Sequence, residues 1–184
     1  MSHEDDAAHR LAALATYYRQ HPVKGPAGHS YISSEPRATQ TAPGLPWDTG
    51  TDDHITRSIT EVVNHTRAIN PDAEPVPVHV ANVYEWCRAN TAAADADQEQ
   101  QREALIYRQG LEHAIRAGDH SVIRPHRCPS CGAPGLFWQR HLQAAMCVNR
   151  HCARRNHGRH QQYSLAELAY EHVATKNAKK SSAG

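Results

Sequence analysis

A mainly helical fold that ends in a small β ribbon is predicted by three features of this sequence. Four segments before residue 118 carry apolar residues at helical spacing. Between residues 127 and 163, short apolar runs alternate with turn residues, as in antiparallel strands, and two pairs of cysteines fall in the same stretch. Hydrophobic residues make up 39% of the chain, aromatic residues only 6%, and the mean hydropathy is −0.72. Segmented helices and a cross-linked unit fit this composition better than one large core.

The N-terminal part, residues 1–50, is predicted to contain one helix followed by a linker. A helix is predicted over residues 4–20, and the acidic residues in its first turn interact favourably with the helix dipole. The apolar face of this helix comprises Ala7, Leu11, Leu14 and Tyr18. Pro22 ends the helix, and repeated Pro and Gly over residues 22–50 predict a linker or long surface loop, which Trp47 would anchor.

Residues 51–118 are predicted to form an acidic helical bundle. A helix over 51–69 has an apolar stripe of Ile55, Ile59, Val62, Thr66 and Ile69. In a helix over 78–89, the side chains of Val80, Val83, Tyr84 and Cys87 face inward. Cys87 is interpreted as a core thiol. Residues 90–118 are predicted to continue as a fourth helix, or as part of one long bent helix. Its apolar face is Leu105, Leu111 and Ile115, and Gly118 is its C-cap. The stripe on 51–69 suits a dimer contact as well as a core, so no oligomeric state is predicted.

Four cysteines predict a zinc site, and they are Cys128, Cys131, Cys147 and Cys152. Their spacing is C-x2-C, fifteen residues, then C-x4-C, which is typical of a structural zinc site. Gly132 suits the positive φ of a cysteine knuckle, and the fifteen residues suffice for two strands joined by a turn near 141–143. The second spacing is longer than the commonest knuckle, which leaves an alternative in which His151 replaces Cys152.

We predict that the metal is structural and that the chain is not an enzyme. A redox CxxC would need a helix at its first cysteine, which Gly132 and Gly135 would break. A catalytic zinc needs an open position and a general acid or base, yet no acidic residue lies between 120 and 166, and the zinc-deaminase signature is missing. A metal-supported nuclease using His151, His157 or His160 stays open as an alternative.

Charge is divided unevenly along the chain. Residues 1–119 carry ten Lys and Arg against seventeen Asp and Glu, whereas residues 120–184 carry ten against two. Zinc and four thiolates would bring the second half to about +6. This balance predicts a DNA or RNA partner bound through phosphates, with an acidic protein partner as the alternative. The arginines assigned to phosphate contact are Arg140, Arg150, Arg154, Arg155 and Arg159.

Aromatic residues near these arginines have two interpretations. Phe137, Trp138 and Tyr163 lie on predicted strands, where one offers a stacking face for a base and another fills the ribbon core. The basic ribbon is expected over 119–175. A capping box from Ser164 to Glu167 opens its closing helix, which runs to about residue 174 with Leu165, Leu168, Ala169 and His172 or Val173 as its packing face. Residues 176–184 are predicted to be a disordered basic tail.

The sequence predicts a cytoplasmic protein without a membrane span. It contains no apolar run of about eighteen residues, and its acidic N-terminus is unlike a signal peptide. Five cysteines are an odd number, and four of them lie in close pairs, which indicates metal binding in a reducing compartment. The fifteen histidines are scattered and are interpreted mostly as surface residues.

Four stretches of the chain carry a resemblance to a known group. IYRQGLEHAIRAGD, RPHRCPSCGAPGLFWQ, AAMCVNRHC and YSLAELAYEH resemble uncharacterised zinc-ribbon proteins of actinobacteria and their phages, over roughly residues 52–175. The resemblance implies an intracellular protein with zinc on the four cysteines. A Trp often stands at the position of Tyr163 in that group, which implies that Tyr163 belongs to the ribbon core. It implies no particular activity.

Overall fold

The computed structural model describes residues 4–20 and 50–182. The helices are α1 (Glu4–Gln20), α2 (Gly50–Ile69), α3 (Val83–Asn90), α4 (Ala96–Arg116), α5 (Arg150–Arg155) and α6 (Leu165–Ser182). The strands are β1 (Leu136–Gln139), β2 (Ala144–Cys147) and β3 (Gln162–Tyr163), and short 3-10 turns cover Val80–Asn82 and His120–Ile123. The predicted linker, Trp47 and the side chain of Tyr18 lie outside the described residues. The chain is therefore mainly helical, with a small sheet in its C-terminal part, as predicted.

Helices α1 to α4 enclose the first of two hydrophobic cores. Leu11, Val62 and Cys87 are fully buried there, and Thr66 lies on the same buried stripe of α2. This burial confirms the predicted stripe on α2 as a core face. Burial also raises the pKa of Cys87, as expected for the predicted core thiol.

Two predicted helix boundaries in this region are corrected by the structure. The helix expected over 78–89 is a 3-10 turn followed by α3, and the fourth helix starts only at Ala96. Asp95 explains that start, because its carboxylate accepts a hydrogen bond from the Gln98 amide while the Gln98 side chain accepts one from the Asp95 amide. At the other end, Gly118 has φ +87° and terminates α4 as predicted.

The three strands form an antiparallel sheet in the order β1-β2-β3. Trp138 pairs with Ala145 in the predicted hairpin, and Ala145 pairs in turn with Tyr163 of β3. The second core lies on this face of the sheet, and its buried residues are Leu111, Ile123, Cys128, Leu136, Ala145, Cys147, Cys152, Tyr163 and Leu168. Because Leu111 belongs to α4, that helix contributes to both cores.

Helix α6 is longer than predicted. It opens with the expected capping box, in which the Glu167 carboxylate accepts hydrogen bonds from the amide and hydroxyl of Ser164. It then continues to Ser182, so the prediction of a helix end near 174 and a disordered tail from 176 was wrong for residues 176–182. The physical reason is that residues 174–182 contain Ala and Lys, both good helix formers, and neither Gly nor Pro.

Helix α6 packs along α4. Leu168, Ala169 and Val173 are buried in this contact. The Tyr107 ring of α4 stacks on the His172 ring at a centroid distance of 4.1 Å. Among residues 4–20 and 50–182, no helix combines the length and apolar character that crossing a membrane requires.

Candidate metal centre

The four predicted cysteines come together in the C-terminal part. All four Sγ atoms lie within 4.8 Å of one another, and no other group of metal-ligating side chains of this kind occurs in the described part of the chain. The Sγ atoms of Cys128 and Cys152 are 3.9 Å apart, and those of Cys131 and Cys147 are 3.8 Å apart. A tetrahedral zinc with Zn–S bonds of about 2.3 Å requires sulfurs about 3.8 Å apart. The cluster therefore has the size of a four-thiolate metal site, and its sulfurs are too distant for disulfides.

The first cysteine pair sits on a tight knuckle. The Gly132 amide donates to the Cys128 carbonyl at 2.7 Å, and the Cys128 amide donates to the Ala133 carbonyl at 2.9 Å. Gly132 has φ +69°, in the left-handed region that glycine adopts without strain. The knuckle predicted from Gly132 is confirmed, and it points both sulfurs into one cluster.

The second pair is carried by a strand end and a short helix. Cys147 is the last residue of β2, and Cys152 lies in α5. The Asn149 side chain caps α5 by accepting a hydrogen bond from the His151 amide, and its own Nδ2 donates to Cys131 Sγ at 3.7 Å. The four intervening residues of C-x4-C thus include the N-cap Asn149 and the first two residues of α5, Arg150 and His151, which explains the longer spacing.

A tyrosine hydroxyl contacts the cluster from β3. Tyr163 is buried, its hydroxyl lies 3.3 Å from Cys128 Sγ, and the Ser130 amide donates to that hydroxyl at 3.2 Å. Although burial raises the pKa of Cys128, hydrogen bonds from Tyr163 and from backbone amides outweigh it and lower the pKa to about 7. Tyr163 is therefore part of the ribbon core and orients a cysteine sulfur.

The thiols of Cys147 and Cys152 need a cation beside them to ionise together. Burial and the neighbouring sulfurs raise the pKa of Cys147 and of Cys152 above the ordinary thiol value. A bound divalent cation reverses this effect and displaces the protons. Four soft sulfur donors with a tetrahedral spacing are a suitable set for zinc, so the residues present fit the ion that the sequence predicts.

The alternative ligand set containing His151 receives no support from the geometry. The side chain of His151 is exposed, and the cluster consists of the four cysteines alone. Cys152, which His151 would have replaced, is 4% exposed. The two residues are adjacent on α5, so their side chains point about 100° apart around the helix axis, and only Cys152 belongs to the cluster.

The five arginines assigned to phosphate contact are all exposed. Arg150, Arg154 and Arg155 lie on α5, Arg140 lies in the β1–β2 turn, and Arg159 follows α5. Residues 150–155 lie within the predicted ribbon and are helical, because the Asn149 side chain caps the helix at its N-terminus. Within the described residues, none of the five forms a salt bridge.

The aromatic residues of the sheet are divided between its two faces. Phe137 is 43% exposed on the outer face, and the Arg124 guanidinium lies 6.0 Å from the centre of its ring. Trp138 faces the second core and is half-buried. Phe137 is therefore the strand aromatic that can offer a ring to a partner.

A buried histidine pair was missed by the sequence reading, which placed most histidines at the surface. His54 Nε2 lies 2.9 Å from His113 Nδ1, and His113 Nε2 lies 2.8 Å from the Tyr84 hydroxyl, which donates to Gln109 Oε1 at 2.8 Å. Burial, with Arg116 next, lowers the pKa of His54 to about 4. Burial, with His54 next, lowers the pKa of His113 to about 3. The signal was the helical spacing: His113 follows the buried Ile106 by seven residues and Gln109 by four.

The groups at the two ends of this hydrogen-bonded chain determine which atom donates in each of its bonds. Arg57 can only donate, and its Nη2 lies 3.3 Å from His54 Nδ1. Tyr84 gives its one hydroxyl proton to Gln109, so His113 Nε2 donates to Tyr84, and His54 Nε2 donates to His113 Nδ1. Both imidazoles are neutral in this arrangement, which agrees with their lowered pKa values.

Comparisons with protein-family models, with curated proteins and with solved structures found no match for this chain. The functional interpretation consequently rests on the site itself.

Proposed function

We propose that this chain is a non-enzymatic zinc protein that binds nucleic acid through phosphate contacts, with the ion in a structural role. The four-cysteine cluster supports the metal, because its sulfurs are spaced as a tetrahedral ion requires. Four cysteines fill all positions of a tetrahedral ion, which favours a structural role over a catalytic one. A reducing cytoplasm would keep these thiols available as ligands.

The observation that carries the nucleic-acid proposal is the division of α5 into two faces. Cys152 is buried in the metal cluster, whereas Arg150, Arg154 and Arg155 are exposed on the same short helix. A structural zinc would fix this helix in place, and with it three guanidiniums. Guanidiniums bind phosphate in a bidentate manner, and those free of carboxylate partners keep their full charge for an external anion.

The surroundings of α5 add to this argument. No acidic residue occurs between 120 and 166 to compete with phosphate. Phe137 exposes its ring on the same sheet that carries Cys147 and can stack on a base of a single strand. Contacts of this kind attract phosphate with low sequence selectivity.

The test is a fluorescence anisotropy titration of labelled duplex and single-stranded DNA and RNA by the zinc-loaded full chain, at two salt concentrations. Four phosphate contacts by Arg150, Arg154, Arg155 and Arg159 predict a slope of log K against log salt of about −3 to −4. Replacing Arg154, Arg155 and Arg159 together by Ala is expected to weaken binding at least about thirtyfold and to flatten this slope by about 2 to 3.

A matched variant with Lys at the same three positions is the control. It keeps the charge and loses the bidentate geometry, so most of the salt-dependent attraction should remain. Zinc content and far-UV circular dichroism of both variants must equal those of the original chain. Unchanged DNA and RNA binding by the Ala variant would contradict the assignment.

A protein-interaction adaptor is the second candidate, and exposed apolar side chains favour it. Phe137, Leu142 and Val148 are each more than 40% exposed around the hairpin. An adaptor would bind one acidic protein surface and show no multi-ion salt slope on DNA. Absence of any nucleic-acid binding at low salt would select this candidate. Membership of the actinobacterial and phage zinc-ribbon group remains a prediction under either proposal.

A further inference from the structure

A cleft of about 1550 Å³ lies between the helical part and the sheet. Its walls come from α1, α2, the end of α4, the β1–β2 turn and the start of α6. This cleft is distinct from the cysteine cluster, none of whose four residues lines it. Its volume exceeds the several hundred Å³ that a small organic ligand occupies.

The charge of the lining favours an anion. Five arginines line the cleft, and they are Arg10, Arg57, Arg108, Arg116 and Arg140. Three carboxylates, those of Asp53, Glu61 and Glu112, line it as well.

Two of the five guanidiniums are neutralised within the protein. Arg108 pairs with both Glu61 and Glu112, and Arg10 pairs with Asp6. Within the described residues, Arg57, Arg116 and Arg140 have no carboxylate at salt-bridge distance. They are exposed and come from three different elements, so the cleft has unpaired positive charge on several sides.

Two buried N–H groups on residues that line the cleft lack an acceptor. The indole Nε1 of Trp138 has no hydrogen-bond partner among the described residues, and neither has Nδ1 of His120. Arg140 Nε donates to His120 Nε2 at 2.8 Å, which places the proton of the neutral ring on Nδ1. Burial and the Arg140 charge lower the pKa of His120 and so favour this neutral form. Both orphaned atoms are therefore donors, and donors without acceptors are costly inside a protein.

We propose that this cleft binds a phosphate monoester ligand of nucleotide size, with Arg116 and Arg140 on the phosphate and Trp138 among the donors. A phosphate supplies several acceptor oxygens and about two negative charges. It can therefore pair with the guanidiniums that lack a carboxylate and accept hydrogen bonds from the orphaned N–H groups. Apolar side chains of Leu14, Ile115 and Leu165 also line the cleft and suit the non-phosphate portion of such a ligand. The site uses none of the α5 arginines and does not rest on the proposed function.

The test is isothermal titration calorimetry of the zinc-loaded full chain with AMP, with adenosine and with inorganic phosphate. AMP is expected to bind at least about tenfold more tightly than adenosine, because only AMP carries a phosphate that can accept charge-assisted hydrogen bonds from the arginines. Arg116→Ala is expected to weaken AMP binding about 10- to 100-fold. Trp138→Phe keeps a ring, removes the indole N–H and should weaken AMP binding about 3- to 10-fold.

Arg67→Ala is the matched control, since Arg67 is an exposed arginine of α2 that does not line the cleft. It should leave AMP binding unchanged. A 5′-phosphorylated and a 5′-hydroxyl oligonucleotide distinguish a strand end from a free nucleotide as the source of the phosphate. The triple Ala variant of Arg154, Arg155 and Arg159 should keep AMP binding, which separates this site from the nucleic-acid proposal. Equal binding of AMP and adenosine, or equal effects of the Arg116 and Arg67 variants, would overturn the proposal.

Discussion

Replacing Tyr84 by Phe tests the buried histidine chain with the smallest change. Tyr84 is 1% exposed, and its hydroxyl joins Gln109 Oε1 and His113 Nε2, each at 2.8 Å. Removing that one oxygen leaves a buried acceptor on Gln109 and a buried donor on His113 without partners. Each orphaned group costs about 1–3 kcal/mol, so the free energy of unfolding should fall by about 2–6 kcal/mol. Such a loss is a large part of the stability of a typical domain.

The assay is urea unfolding of the zinc-loaded chain at pH 7.5, followed by circular dichroism at 222 nm. Tyr170→Phe is the matched control, because Tyr170 lies on α6 with its side chain 51% exposed. This control should change the free energy of unfolding by less than about 0.5 kcal/mol. A Tyr84 variant as stable as the control would refute the reasoning, since it would mean that water or a shifted side chain satisfies both orphaned groups.

Two further predictions concern the metal and the histidine pair. Cys152→Ser should reduce bound zinc, measured by mass spectrometry of metal content, and should raise the zinc Kd at least about tenfold. Cys87→Ala, outside the cluster, should retain one zinc per chain, and equal zinc loss in both variants would count against the four-cysteine site. The pKa values of about 4 for His54 and about 3 for His113 lie below the ordinary 6.5. As the pH falls, these two histidines are therefore protonated in the unfolded chain before they are protonated in the folded one. The stability contributed by their neutral forms is complete above pH 6.5 and is lost as the pH falls through both values. An NMR titration should show two histidines that stay neutral down to about pH 5, and titration of every histidine signal near 6.5 would exclude the buried pair.

Helical periodicity predicted most of the fold because each helix buries one continuous stripe. Leu11 and Val62 lie where this spacing places them. Helix ends were less predictable where a side-chain cap decides them. Asp95 delays the start of α4 and Asn149 starts α5, and in each case a polar side chain that accepts a hydrogen bond from a helix amide sets the boundary. The extension of α6 to Ser182 depends on the helix propensity of its residues. This part of α6 has no apolar stripe, so hydrophobic periodicity could not indicate it.

The metal cluster was predictable because cysteine spacing restricts geometry directly. Two short spacings and an intervening hairpin leave few ways to place the four sulfurs, and Gly132 marked the knuckle. The cleft and the histidine chain were not predictable in this way. His54 and His113 are 59 residues apart, and Trp138 of β1 and Arg116 of α4 line the same cleft from distant parts of the sequence. Such juxtapositions depend on tertiary packing and leave no local pattern.

If the four-cysteine cluster holds its ion, the shared helix α4 would link the stability of the first core, and with it the lifetime of the chain in a cell, to metal supply. Ile106 packs in the first core and Leu111 in the second, less than two turns apart. An ion that binds only the native state would stabilise the second core, and α4, which contributes to both cores, would carry part of that stabilisation to the first. A protease would therefore find cleavable segments of the N-terminal helices more often when the ion is scarce. Any fragment cut near residue 119 would also separate α6 from the helix on which it packs.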